Sequence, residues 1–349
     1  MIVEQVDENQ QKIKCVVWDL DNTLWEGVLL EDKDVFLRED VVDIIKTLDN
    51  RGILQAIASK NEHDSAITKL KEFGIYEFFL YPQINWNSKS TSVKKIAELI
   101  NIGMDSIAFI DDQIYECEEV KFSWPEVLCI NVNDIKSVLN MPQFNPRFIT
   151  EDSKKRREMY LCDIKRKKQE DLFEGPKEEF LSSLNMVFTI SIVKEGDLQR
   201  AEELSIRTHQ LNSTGYTYSY EELDELRKSD KHKLLITSLD DNYGTYGKIG
   251  LSLIQCDEKI WTIKLLLMSC RVMSRGVGSV LLNYIMKLAK KSNVKLRAEF
   301  VSNDRNKMMY ITYVFAGFKE IENKGDLIIL ENNLSCIQDN PNYIKVIEE

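Results

Sequence analysis

Two aspartates, Asp19 and Asp21, stand one residue apart in CVVWDLDNTLWEG, directly after an apolar run. Two more, Asp111 and Asp112, close the run SIAFIDD, and Ser59 closes ILQAIAS. Four carboxylates gathered in one crevice repel: at ~4 Å and an effective dielectric near 20, each pair costs about 4 kcal/mol. A divalent cation relieves that repulsion, and a hard, oxygen-lined site favours Mg2+. The chemistry within reach is metal-assisted phosphoryl transfer. The plainer reading is that acids at strand ends cap turns and helices.

Gathering these residues requires particular elements. IKCVVW (13–18) reads as a buried strand, and EDVVDIIKTLDNRG carries the helical spacing of Val41, Val42, Ile45 and Leu48 with a Gly52 stop. ILQAIAS is then a strand, NEHDSAITKLKEFG a helix ending at Gly74, SVKKIAELINIG a helix, and SIAFIDD a strand. Alternating strands and helices imply an α/β fold, a parallel sheet with right-handed crossovers, in which ligands bind beyond the carboxyl ends of the strands. The Asp19–Asp21 pair, Ser59 and the Asp111–Asp112 pair all fall at that edge.

The segment DLDNT resembles the DxDxT signature of the haloacid dehalogenase (HAD) superfamily, with Ser59, Lys89 and the pair Asp111–Asp112 in the positions of its other motifs. The resemblance implies that Asp19 attacks phosphorus to form an aspartyl-phosphate, and that Asp21 protonates the leaving oxygen and then activates water. It further implies that Thr23 and Ser59 hydrogen-bond the phosphoryl oxygens, that Lys89 neutralises their charge, and that Asp19, the Asp21 carbonyl, Asp111 and Asp112 hold Mg2+. About 35 residues separate Thr23 from Ser59 and one helix fills much of that interval, which leaves no room for a large cap domain. The crevice is expected to be open, suited to a bulky substrate or one delivered by another protein.

The chain has 349 residues, enough for two domains with separate cores. With 43% apolar and 30% charged residues it has the composition of a soluble globular protein. A net charge of −11 argues against nucleic acid or an anionic membrane as partner, since both repel it at long range. No apolar stretch approaches the ~18 residues that span a bilayer, and MIVEQVDENQQK is too acidic and polar for a signal peptide, so a cytoplasmic location is expected. Seven cysteines without CxxC spacing argue against a disulfide framework or a zinc site.

After residue 132 the pattern changes. MPQFNPRFIT ends the alternation, and EDSKKRREMYLCDIKRKKQEDLFEGP reads as a charged helix whose basic run is a solvated face. The expected division is a phosphatase domain over 1–145, a charged helical linker over 146–184 and a second domain over 185–349. In that last part NMVFTISIV is a strand, EGDLQRAEELSIRTHQL a helix, and GKIGLSLIQCD with KIWTIKLLLMSC a strand pair. RVMSRGVGSVLLNYIMKLAKK then sets glycines before an amphipathic helix, whose N-terminus is a ready anion site for a pyrophosphate or a phosphopantetheine arm, though a glycine pair there also makes a plain tight turn. Trp18, Trp25 and Trp261 read as core, and His63 and His232 as surface residues.

The ending NDRNKMMYITYVFAGFKE resembles that of the GNAT acyltransferase fold, with Met273 where that pattern has Gln or Arg. A HAD-like phosphatase ahead of a GNAT-like domain, with ASKNEHD, FIDDQIYE, RTHQLNSTG and MSCRVMSRGVG, resembles the FkbH-like family. Members of that family remove the phosphates of 1,3-bisphosphoglycerate and hand D-glyceryl to the phosphopantetheine thiol of an acyl carrier protein for polyketide extender units. The resemblance implies Mg2+ as cofactor, a carrier protein and an acyl phosphate as partners, Cys270 as acyl-carrying nucleophile, and Arg275, Gly276 and Gly278 at the pantetheine. His209 is a candidate base, Gln210 and Asn212 would orient the glyceryl hydroxyls, and Thr214 would bind phosphate. Cys270 also reads as a buried structural thiol and His209 as a helix-end cap. The alternatives are a small-molecule phosphatase fused to an acyl-CoA-dependent N-acyltransferase, and a carrier-binding module with a vestigial site.

Overall fold

The computed structural model describes residues 12–349, so the acidic stretch MIVEQVDENQQ lies outside the described residues. The chain divides into two compact units, 1–161 and 162–349, with the division inside the segment read as a linker. Both are α/β. No described helix is long and apolar enough to cross a membrane.

The first unit is built on β1 (Cys15–Trp18), fully buried along its length, as its unbroken apolar run requires. A two-strand ribbon, β2 (Trp25–Glu26) and β3 (Phe36–Leu37), and helix α1 (Val41–Asn50) lead to β4 (Leu54–Ser59). Only this ribbon and α1 stand between Thr23 and Ser59, the uncapped arrangement expected. Helix α2 (His63–Glu72), β5 (Gln83–Ile84), α3 (Lys89–Ile100), β6 (Ile107–Asp111), α4 (Ile114–Ser123) and β7 (Leu128–Asn131) follow. The sheet order is β5-β4-β1-β6-β7, every neighbour parallel. The chain therefore winds outward from β1 in one direction and then, from β6, in the other. The crevice at such a reversal, between β1 and β6, is where open α/β sheets bind ligands. Val41, Ile44, Ile45 and Leu48 of α1 pack with Val16, Trp18, Ile57 and Ile110 in its core.

Helices α5 (Glu151–Lys154) and α6 (Arg156–Leu172) cover the charged segment, and the chain division falls within α6. The expectation of a solvated basic face fails at two points. In the first unit Arg156 donates to Gly52 O at 2.9 Å. In the second, Arg166 is fully buried and grips Asp241 with two N–H donors, at 2.7 and 2.9 Å.

Helix α7 (Lys177–Ser183) precedes β8 (Met186–Ile192), α8 (Leu198–Arg207) and α9 (Tyr220–Lys228). Strands β9 (His232–Asp241), β10 (Gly244–Cys256) and β11 (Ile260–Met268), helix α10 (Val277–Lys291), β12 (Lys295–Val301), α11 (Lys307–Phe315), β13 (Lys319–Lys324), β14 (Leu327–Asn332) and β15 (Ile344–Glu348) complete the second unit. Its sheet runs β13-β14-β12-β11-β10-β9-β8-β15, and β10 and β11 pair antiparallel as their patterns predict. In β11, Ile263 faces a core with α10 and α11; the register slips at Lys264, so that beyond it Leu266 and Met268 face that core and Leu265 and Leu267 one with α8 and α9.

One irregularity organises this sheet. β11 and β12 pair only from Ile260–Ile263 against Lys295–Ala298, then part. The gap is filled by the chain itself: Met268 N–H donates to Leu211 O at 2.9 Å, Ser213 N–H to Leu266 O at 3.0 Å, and Val301 N–H to Ser213 O at 3.0 Å.

Candidate active site

Register brings the acids together. Trp18 pairs with Ile110, and Asp19 N–H donates to Ile110 O at 2.9 Å, so Asp19 and Asp111 leave the sheet side by side. Both are buried, at 6% and 0% exposure. Carboxylate oxygens of Asp19, Asp111 and Asp112 lie within 4.8 Å of one another. One cation answers them. Lys89 is the first residue of α3, whose N-cap Ser88 accepts from Thr91 N–H, and its buried ammonium reaches back to Asp19. The same Nζ is 2.9 Å from Ala58 O and 3.2 Å from Asp111 Oδ2.

The charge balance remains negative. Burial, and then the charge of Asp19, push the Asp111 carboxyl up to about 7, and the same two causes raise Asp112. Burial opposes the charge on Lys89, yet the Asp19 and Asp111 carboxylates outweigh it and hold the ammonium above its ordinary value. Asp112 Oδ1 is buried without a hydrogen-bond donor, and Asp111 Oδ2 has the Lys89 ammonium at 3.2 Å, off hydrogen-bond alignment. Clustered carboxylates with unfilled oxygens are the donor set of a hard divalent cation.

Asp21 stands apart from that cluster. Its Oδ1 accepts from Trp25 Nε1 at 2.8 Å and from Leu29 N–H at 3.0 Å, and its Oδ2 accepts from Asn61 Nδ2 at 2.9 Å. These bonds fix the carboxylate away from the other three acids. Burial, the largest influence, raises its pKa against those hydrogen bonds, which suits a group that must carry a proton. Thr23 is fully buried and its Oγ1 accepts from Asp112 N–H at 3.0 Å, tying the turn after β1 to the end of β6. Ser59 lies buried at the carboxyl end of β4, on the same edge.

Asn61 and the indole of Trp25, which hold the Asp21 carboxylate, are residues of the candidate site that sequence reasoning passed over. Asn61 lies two positions beyond Ser59, past a strand end already marked as part of the crevice, and that placement was the available signal. Trp25 is core, as expected, and its polar edge also positions Asp21.

The residues expected in the second unit are placed differently. Asn212 is 1% exposed, and its side chain closes its own turn, accepting from Thr214 and Gly215 N–H at 3.1 and 2.9 Å and donating to Tyr216 O at 3.2 Å. It is a keystone of the segment wedged between β11 and β12, so its amide is not available to orient a substrate hydroxyl. Thr214 is half-buried in that turn, while His209 and Gln210 are exposed beyond the end of α8. Cys270 is half-buried and opens a short 3-10 helix, Cys270–Arg275, ahead of the glycines. Arg275 is 7% exposed and its guanidinium is 3.1 Å from Glu170 Oε2. Gly276 has φ +81° at the N-terminus of α10, and a Cβ there would stand 3.1 Å from the Tyr343 hydroxyl. The chain therefore already lies against the loop assigned to pantetheine, at Arg275 and Gly276. Gly278 faces open space.

No family model matches the chain. The human protein named magnesium-dependent phosphatase 1 is 26% identical over 149 residues, which are 37% of this chain and 84% of that protein. A crystal structure of the N-terminal part of a Bacteroides fragilis protein, containing a phosphatase domain complexed with Mg, is 27% identical over 39% of this chain and 40% of its own, with a TM-score of 0.34. The ribosomal-protein-S18-alanine N-acetyltransferase of Escherichia coli is 18% identical over 44% of this chain and 97% of its own, with a TM-score of 0.35.

Proposed function

We propose that the first unit is a Mg2+-dependent phosphohydrolase that works through a covalent aspartyl-phosphate. The observation that carries this reading is the cluster of buried Asp19 and Asp111 with half-buried Asp112, short of positive charge and answered by Lys89. The likeness to a protein named as a magnesium-dependent phosphatase supports the same ion. Asp19, Asp111, Asp112 and the Asp21 carbonyl would hold Mg2+, which supplies charge neutralisation for the phosphoryl oxygens. An Asp19 carboxylate oxygen bonds to phosphorus while the ester P–O bond breaks, and Asp21 gives its proton to the departing alkoxide. Asp21 then takes a proton from water, whose oxygen attacks phosphorus and frees Asp19. Lys89 pairs with the Asp19 carboxylate, Ser59 presents its hydroxyl to the phosphoryl oxygens, Thr23, fully buried, holds the Asp112 amide instead of reaching the substrate, and Asn61 and Trp25 hold Asp21 in line.

Asp19→Asn is expected to lower Mg2+-dependent phosphate release at least ~10³-fold, as loss of a covalent nucleophile does, with the melting transition kept. Full turnover by that variant would remove the assignment.

For the second unit the reading is acyl transfer. Cys270, half-buried just past the central strand β11, supports a glyceryl thioester passed from 1,3-bisphosphoglycerate to a carrier-protein thiol. In that step the thiolate attacks the acyl carbonyl and the acyl-bound phosphate departs, leaving a 3-phosphoglyceryl thioester whose remaining phosphomonoester the first unit hydrolyses to give the glyceryl group. The competing reading is acyl-CoA-dependent N-acyl transfer, against which the segment Leu211–Ser213 weighs, since it takes the backbone groups of β11 in the gap beside β12. Incubation with 1,3-bisphosphoglycerate, Mg2+ and a holo-carrier protein, followed by weighing of the carrier, separates them. A gain of one glyceryl group supports loading, and phosphate release with an unmodified carrier supports the competing reading.

A further inference from the structure

The order β4-β1-β6 sets β4 and β6 on either side of β1. Lys60 follows the last residue of β4, and Glu116 lies in the first turn of α4, which follows β6. Lys60 Nζ is 2.7 Å from Glu116 Oε1. This ion pair therefore bridges the carboxyl end of β1, where Asp19 stands. With strands ~4.8 Å apart, the bridge covers about 10 Å, the length of a small metabolite.

Its two members are unequal. The Glu116 side chain is 8% exposed and that of Lys60 is 36% exposed. Glu116 Oε2 is buried without a hydrogen-bond partner. Glu116 takes one of the three donors of the Lys60 ammonium. Lys89, by contrast, is held by Asp19, Asp111 and the Ala58 carbonyl. The crevice thus has a buried cation at the phosphoryl position and a second, solvent-facing cation across its mouth.

We propose that Lys60 is a specificity-determining residue that binds a second anionic group, a carboxylate or a further phosphate, on a small phosphomonoester whose phosphoryl group lies at Asp19. Glu116 holds the ammonium over the crevice through Oε1, and its Oε2 accepts from a hydroxyl of the same substrate. The inference rests on the phosphohydrolase reading and names the substrate class of that site.

The test compares kcat/KM for 3-phosphoglycerate, which carries a carboxylate, with that for glycerol 3-phosphate, which does not, using the full chain with Mg2+. The native protein is expected to prefer 3-phosphoglycerate by about tenfold or more, the effect of one partly desolvated charge pair. Lys60→Met should bring the ratio near one, mainly through KM for 3-phosphoglycerate, and Lys60→Arg should retain the preference. A native protein that treats both alike, or a Lys60→Met variant that keeps the ratio, overturns the proposal and leaves the phosphohydrolase reading standing. Native protein that releases phosphate from neither substrate defeats that reading, and the proposal falls with it.

Discussion

Asn61 Nδ2 donates to Asp21 Oδ2 at 2.9 Å, so the residue that opens the loop beyond one strand aims the acid that follows its neighbour. A proton donor matters most when the leaving group is a poor one, because an alkoxide cannot depart unprotonated while an aryl oxide can. Asn61→Ala should therefore lower kcat/KM for an alkyl phosphate by about 10- to 100-fold and for p-nitrophenyl phosphate by under about threefold. Equal losses on the two substrates would show that Asn61 only supports the loop.

Lys89 is the counter-charge that allows Asp19 and Asp111 to be buried together. Removing one member of a buried ionic group costs about 3–5 kcal/mol, because the remaining charges are left uncompensated. Lys89→Met should lower the melting temperature in EDTA. A divalent cation replaces part of the lost charge, so added Mg2+ should raise the melting temperature of the variant more than that of the native protein. Scanning fluorimetry with and without Mg2+ checks both, and a smaller Mg2+ response in the variant would contradict the arrangement.

In the second unit Arg166 is bonded to Asp241 and Asp163 and lies 3.7 Å over the ring of Tyr246. Arg166→Met should destabilise that unit by about 3–5 kcal/mol in urea titrations, since the Asp241 side chain is fully buried. The pair Arg166→Met with Asp241→Leu should recover a large part of the loss, because no charge is then left buried at Asp241, while Asp163 keeps the Arg271 guanidinium 3.8 Å away.

The first unit was largely legible in its sequence, and the reason is locality. Strand β1, helix α1 and the acids at the strand ends are written in adjacent residues whose period and punctuation declare them. Helix α3 starts at Lys89, three residues before the expected start at Ser92, because Ser88 caps it; the shift places the lysine at the crevice. The second unit was less legible where polar residues serve distant partners. RTHQLNSTG has the composition of a binding loop, yet Asn212 uses its side chain on its own turn and Ser213 its polar groups on the sheet, and no local pattern distinguishes those uses. Arg166 sits in a run of basic residues that looks solvated until Asp241, 75 positions on, arrives beside it.

The wedge between β11 and β12 also dictates an order of assembly. Ser213 Oγ accepts from the amide of Leu266, 53 residues later in the chain, and Asn306 donates to the Asn212 carbonyl from 94 residues away. Closing loops of that length forfeits chain entropy before any contact returns it, so these bonds form late. Until α11 and the end of β12 have been synthesised and docked, the segment has no complete seat. Amide protons of Leu266, Met268 and Val301 should accordingly gain protection together, as the last step in which the second unit reaches its native state.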